Sequence, residues 1–267
     1  MITTTIKVII LNIIFIYFSF SQTLTSTISD STASTTSSTT IVLGVTGAAV
    51  VSALLFHYDQ DIYNEIHSWR ENSIVVRKVS PVITNLGDGA LSAGLFAGFT
   101  GYGLISKDKK AIEVGKIGIE SFLLTGVTVQ LFKYLCGRER PSDATQPGGF
   151  WHGPFAYLDK QKRGTRGLSA FDSFPSGHTT TAFAAATTIS DFYTEPLVSY
   201  TCYSLATAVA VSRVIESTHW MSDCFVGAII GYYGTKLTEK LNYGYNGVTV
   251  LPQSDGHQYG LLLSVKF

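Results

Sequence analysis

His219 and Asp223 lie four residues apart at the end of the stretch Ser212-Arg213-Val214-Ile215-Glu216-Ser217-Thr218-His219-Trp220-Met221-Ser222-Asp223. If the last part starts a helix, that spacing puts both side chains on one face. A carboxylate that accepts the Nδ1 proton of an imidazole leaves the Nε2 lone pair free, which makes the ring a nucleophile or a general base. Arg213, just upstream, carries a planar fork of donors that can hold two phosphate oxygens at once, which a lysine does less well. Alone, such a pair is an exposed ion pair on a helix and carries little. Two other stretches change its meaning.

The first is Lys133-Tyr134-Leu135-Cys136-Gly137-Arg138-Glu139-Arg140-Pro141, which closes a long apolar run with cations and then breaks the helix at proline. The second is Ser173-Phe174-Pro175-Ser176-Gly177-His178, followed directly by a helix-like run from Thr179 to Ile189. A helix start presents free backbone N–H groups and the positive end of a dipole to an anion. Together the three stretches supply what phosphoryl transfer needs. Lys133, Arg140 and Arg213 can neutralise the equatorial oxygens, helped by N–H groups near Ser176 and Gly177. His219, oriented by Asp223, can attack phosphorus while His178 protonates the leaving alkoxide and later activates water.

Lys-x6-Arg-Pro, Pro-Ser-Gly-His and Ser-Arg-x5-His-x3-Asp, in this order and without a substitution, resemble the signature of the type-2 phosphatidic acid phosphatase and vanadium haloperoxidase superfamily. With their flanking helices they cover about residues 110 to 240. The resemblance implies an all-α core and phosphatase chemistry that needs no metal and no cofactor. It implies catalytic roles for His219, His178 and Asp223, and phosphate-binding roles for Lys133, Arg140, Ser176, Gly177 and Arg213. Where vanadate takes the place of phosphate, the same site would serve a haloperoxidase with His219 as the ligand. No feature beyond the shared motifs points to peroxide handling, and the chain is short for such an enzyme.

The elements that must position these residues follow from composition. The 267 residues suffice for one domain with a substantial core. A chain that is 45% hydrophobic and 14% charged is poor in charge for a soluble protein. Its 19 basic and 19 acidic residues argue against a nucleic-acid partner. Cys136, Cys202 and Cys224 lie in or beside apolar stretches and read as buried side chains without a disulfide framework.

Lys7 precedes an apolar run, Val8 to Phe20, and Ser19-Phe20-Ser21 resembles a cleavage site, so residues 1–21 read as a signal peptide or a signal anchor. Residues 22–40, rich in Ser and Thr, read as a linker. The helical phosphatase domain is expected over 41–241. Ile41 to Phe56 is short for a span of about 20 residues, and Asp59-Gln60-Asp61 after it reads as a solvated helix start. Val82 to Ile105 and Ala111 to Leu135 read as two helices packed in lipid, joined by a basic loop with Lys107, Lys109 and Lys110. If both span, the positive-inside rule puts that loop in the cytoplasm and Lys133 to Pro141 on the outer side.

Residues 142–172 read either as a lid at the headgroup layer or as a solvated loop, with His152 a surface histidine. Thr179 to Phe192, Leu197 to Val214 and Cys224 to Leu237 form three further helices whose short connections return all three motifs to one end of a bundle. A tail over 242–267 reads as a β-hairpin. The expectation is a membrane-embedded all-α bundle whose partners are the membrane and a lipid phosphate or diphosphate. It would act through a phosphohistidine at the periplasmic face of the inner membrane; a soluble periplasmic acid phosphatase of broad specificity would use the same residues.

Overall fold

The computed structural model of the protein describes residues 38–159, Gly164, 168–244, 248–254 and 259–265. The expected targeting segment, most of the linker, and the basic residues Lys160, Lys162, Arg163 and Arg166 fall outside the described residues.

Seven α-helices are described: α1 (Ser38–Asn72), α2 (Ile74–Asn85), α3 (Gly89–Ser106), α4 (Lys109–Cys136), α5 (Gly177–Phe192), α6 (Pro196–Ile215) and α7 (Met221–Glu239). Their starts follow sequence chemistry. Ser73, Asp88, Asp108 and Ser176 each accept backbone N–H bonds at a first turn, and Pro196 opens α6 with a fixed φ. Gly137 ends α4 in the left-handed region at φ 60°, its N–H returning to the carbonyl of Lys133. The runs expected at 111–135, 179–192, 197–214 and 224–237 lie inside α4, α5, α6 and α7.

Two expectations are corrected. The run from Val82 to Ile105 is not one helix, because the chain turns at Leu86-Gly87 and Asp88 caps a new helix through the N–H groups of Ala90 and Leu91. Nor does a helix start at Asp59: apolar residues 41–56 and the polar stretch after them form one 35-residue helix, α1. Leu55, Ile62 and Ile66 recur on one face of it and pack against Val214 at the end of α6 and Cys224 and Phe225 at the start of α7.

Helices α4, α5 and α7 pack on one another, with α3 against α4, α6 against α5, and α1 across the ends of α6 and α7. A second core joins Ala182, Phe183 and Ala186 of α5 to Tyr203, Ala206 and Val209 of α6 and Ala228 of α7. Two glycines let α5 and α7 approach. A Cβ on Gly231 would lie 2.4 Å from the carbonyl oxygen of Thr180, and one on Gly227 would lie 2.6 Å from that of Ser176. This crossing sets the distance between the helix that starts at Gly177 and the turn that carries His219. Gly231→Val must push the helices apart and is expected to cost about 1–3 kcal/mol, visible as an earlier thermal unfolding transition; an unchanged transition would contradict the close crossing.

After a short π-helical turn at Lys240–Gly244, β1 (Val248–Ser254) and β2 (Tyr259–Val265) pair antiparallel, with Val248 opposite Val265. Among the described residues one helix, α6, is long and apolar enough to cross a membrane.

Candidate active site

The three motifs meet at one end of the bundle, formed by the C-terminal ends of α4 and α6 and the N-terminal ends of α5 and α7. Lys133 stands in the last turn of α4 and Arg140 just beyond it, where an isolated β-bridge between Arg138 and Trp151 holds the chain. Both cations reach the same carboxylate: Arg140 Nε donates to Asp172 Oδ1 at 2.8 Å, and Lys133 Nζ to Oδ2 at 3.4 Å. Burial raises the Asp172 pKa, but the two cations outweigh it and hold this carboxyl below its ordinary value.

His219 is buried, and its Nδ1 donates to the backbone carbonyl of Ser173 at 2.6 Å. Asp223 Oδ2 stands farther off, at 3.8 Å, so the short contact expected from Asp223 is made by a carbonyl. The tautomer is the same either way: Nδ1 carries the proton and Nε2 keeps its lone pair. Burial drives the pKa of His219 down to about 3, with Lys133 and Arg140 acting in the same direction. At neutral pH the ring is therefore the free base, as a nucleophile requires.

Asp223 acts through the chain around it. Its Oδ2 accepts from Ser173 Oγ at 2.5 Å and from Trp220 N at 2.9 Å, while Oδ1 accepts from Arg138 at 2.5 Å. The carboxylate thus ties the loop that holds His219 to the first turn of α7. Ser176 is buried as the cap of α5, its Oγ accepting from Thr179 N, and its own N–H donates to the carbonyl of Asp223 at 3.0 Å. That N–H is spent on the fold. Those of Gly177 and His178, the first two helical residues, have no intrahelical acceptor and can face an anion.

His178 is half-buried against the α2–α3 turn; a Cβ on Gly87 would lie 2.7 Å from its carbonyl oxygen. Only a glycine lets the turn come so near. Arg213, in the last turn of α6, is 8% exposed, and its Nε has no hydrogen-bond partner among the described residues. A buried guanidinium with a bare donor is unusual, since such groups are normally bonded; this Nε is left without an acceptor among the described residues.

A pattern of the PAP2 superfamily matches residues 117–243, which hold all eight expected site residues. This segment belongs to the PAP2 superfamily. The chain is also 29% identical over 179 residues to a lipid A 1-phosphatase of Rhizobium etli, covering 63% of this chain and 72% of that protein. A lipid A 1-phosphatase of Porphyromonas gingivalis is 42% identical over 65 residues, 24% of this chain and 15% of that one. Two solved structures share the fold: LpxE of Aquifex aeolicus, at 22% identity and TM-score 0.50, covering 67% of this chain and 93% of that one, and the transmembrane PAP2-type phosphatidylglycerolphosphate phosphatase of Bacillus subtilis, at 17% and 0.51, covering 74% and 96%.

The PAP2 site has supports that the motifs do not contain. Asp59, in α1 and outside the matched segment, is fully buried: Oδ2 accepts from Arg138 at 2.7 Å and Oδ1 from Ser222 N at 3.0 Å. Arg138 itself is 1% exposed, bonds Ser222 Oγ and the carbonyl of Gly148 at 2.7 Å each, and lies among the rings of Phe56, Trp151 and Trp220. The reading of Asp59 as a solvated helix start is overturned, because its partner lies 79 residues away.

His152 is likewise tied in, 3.0 Å from Glu139 Oε1 and against the Phe171 ring at 4.0 Å. Burial raises the Glu139 pKa, yet bonds from His152, Thr145 and Phe150 outweigh it and bring it to about 2. The connection after Pro141 is thus packed onto the protein around Glu139 through Thr145, Phe150 and His152.

Proposed function

We propose that this phosphatase removes phosphate from a lipid-linked phosphate monoester at the periplasmic face of the membrane, through a phosphohistidine on His219. The observation that carries the chemistry is the Arg213 guanidinium, whose buried Nε meets no acceptor among the described residues, joined at one end of the bundle by the cations Lys133 and Arg140 and the neutral imidazole of His219. The cations take up the charge of the equatorial oxygens, and His219 Nε2 attacks phosphorus. Burial, with Arg213 beside it, holds the His178 pKa down to about 4, so in this reading His178 takes up a proton as the phosphoryl dianion arrives, gives it to the departing oxygen, and then takes one from the water that frees the enzyme.

A lipid substrate is favoured by an apolar groove of about 260 Å³ that begins one turn below His178. Leu86, Leu91, Leu95, Ala182, Ile189 and Leu205 line it, with only one hydroxyl, that of Ser92, and the Cys202 thiol among them. It suits an acyl chain and offers nothing to a soluble ester. Large apolar side chains are also exposed along α2, α3, α4 and α6, among them Val82, Leu104, Leu123, Val127 and Leu197. That pattern fits a surface solvated by lipid. The relatives named as lipid A 1-phosphatases favour a phosphate on an acylated sugar as the substrate class.

The site faces outward in this reading. The loop with Lys107, Lys109 and Lys110 stands at the other end of α4, a helix of 28 residues that rises about 40 Å. Lysines there favour a cytoplasmic loop and hence a periplasmic site.

Phosphate release from lipid A, phosphatidylglycerol phosphate, a polyprenyl diphosphate and p-nitrophenyl phosphate, by purified protein in detergent with EDTA, tests the reading. Release from lipid A that resists EDTA and stops with vanadate is expected. Equal rates on the soluble ester would point instead to a broad-specificity acid phosphatase, and halide oxidation dependent on vanadate and peroxide to a haloperoxidase.

A further inference from the structure

Asp172 belongs to none of the three motifs, yet it is the residue on which two of their cations converge. Its two oxygens are divided between them, Oδ1 on Arg140 at 2.8 Å and Oδ2 on Lys133 at 3.4 Å. This is the arrangement in which two oxygens of one phosphoryl group would be held. Arg213 differs, with a buried Nε that meets no acceptor among the described residues. Without substrate, then, two of the three cations are already neutralised by a carboxylate of the chain itself.

We propose that Asp172 is a built-in competitor for the phosphate site, one that holds Lys133 and Arg140 in place between turnovers and yields them to the incoming phosphoryl group. The proposal rests on the reading of this end of the bundle as a phosphate site. Three features allow the exchange. The Asp172 side chain is 28% exposed, so turning outward takes it into water and not into an apolar core. The backbone beside it is fixed, because Ser173 holds Asp223 through its hydroxyl and His219 through its carbonyl; the movement is confined to one side chain. Finally, a phosphoryl dianion brings two charges where Asp172 brings one, so the substrate displaces the carboxylate.

The consequence concerns the product. Three uncompensated cations would bind inorganic phosphate as readily as they bind a substrate phosphoryl group, and tight product would slow every turnover. A carboxylate returning to Lys133 and Arg140 offsets part of that affinity. An Asp172 that merely braced the two cations would have the opposite effect: without it they would drift and phosphate would bind less well. The sign of the change therefore separates the two roles.

The test is calorimetric titration of inorganic phosphate into the full-length protein in neutral detergent with EDTA, for the wild type, Asp172→Asn, Asp172→Ser and Asp172→Glu. The neutral variants are expected to bind phosphate about tenfold more tightly, the scale of one partly screened charge at this range. Asp172→Glu, which keeps the charge, should stay near the wild type. Lipid-phosphate turnover by the neutral variants should show KM and kcat falling together, as product release slows. Unchanged or weaker phosphate binding in both neutral variants overturns the proposal, as does an absence of measurable binding in all four proteins. Expected titrations from a protein that hydrolyses no lipid phosphate would remove the substrate reading and leave Asp172 as assigned; normal hydrolysis with unaltered titrations would do the reverse.

Discussion

His219→Ala is expected to lower kcat on the preferred lipid phosphate by about 10⁴-fold or more, the scale for loss of a nucleophile that works as one unit with its neighbours. KM should change far less, since Lys133, Arg140 and Arg213 remain to bind the phosphate. The size of the effect follows from the geometry. Nδ1 is committed to the Ser173 carbonyl at 2.6 Å, so only Nε2 can attack, and no other imidazole in the site is held in this way. The same geometry fixes the acid behaviour. With a pKa of about 3 against an ordinary 6.5, His219 stays a free base as pH falls through the range in which an exposed histidine would protonate. An acid limb of kcat/KM above about pH 5 would therefore belong to another group. Rapid acid-free quenching with ³²P-labelled substrate should trap an acid-labile phosphoprotein in the wild type and none in the variant. Retention of substantial turnover by His219→Ala would remove the covalent mechanism.

What the sequence disclosed, and what it did not, divides along the range of the interactions. Lys133, Arg140, His178, Arg213, His219 and Asp223 were legible because each motif sits at a helix end whose local signals are strong: Pro141 after the first, Pro175-Ser176-Gly177 at the second, and the four-residue His-Asp spacing at the third. Asp59 was not legible, since nothing near it in the chain says that a mid-helix carboxylate will meet Arg138. One signal was available: Leu55, Ile62 and Ile66 share a helical face, which joins the polar stretch after Phe56 to the apolar run before it. The break within 82–105 was marked too, by Asp88 before Gly89, a capping residue ahead of an apolar run. The partner of Nδ1 could not have been foreseen, because a backbone carbonyl leaves no trace in residue type.

The distribution of contacts also explains why α1 belongs to the working unit although it precedes the matched segment. It packs Leu55, Ile62 and Ile66 on the end of α6 and the start of α7 and inserts Asp59 behind Arg138. From there a line of bonds runs through Asp223 to Ser173 and so to the ring of His219. A nucleophile held to a carbonyl keeps its aim only as long as the loop bearing that carbonyl is fixed, and in this protein the fixing begins in α1.

Arg138→Met is expected to have the largest effect on stability, a loss of about 3–5 kcal/mol, because it leaves two carboxylates in the interior without their cation. Asp59 and Asp223 are both fully buried, and Arg138 is 1% exposed between them. Its guanidinium serves Asp59, Asp223, Ser222 and the Gly148 carbonyl at once, a set that the single ammonium of Arg138→Lys cannot span. The lysine variant should therefore recover only part of the loss. Asp59→Asn keeps an acceptor for Arg138 while removing one charge, and should cost about 1–2 kcal/mol. The decisive comparison is the pair Asp59→Leu with Arg138→Met. If the guanidinium and the two carboxylates form one unit, the double variant will be more stable than the sum of the two single losses predicts. Thermal unfolding in detergent measures all four proteins, and an Arg138→Met transition equal to that of the wild type would sink the idea. Activity gives an independent check: any variant that stays folded while Asp223 loosens its hold on Ser173 should lose kcat more than KM, because the phosphate cations are untouched and only the aim of His219 has changed.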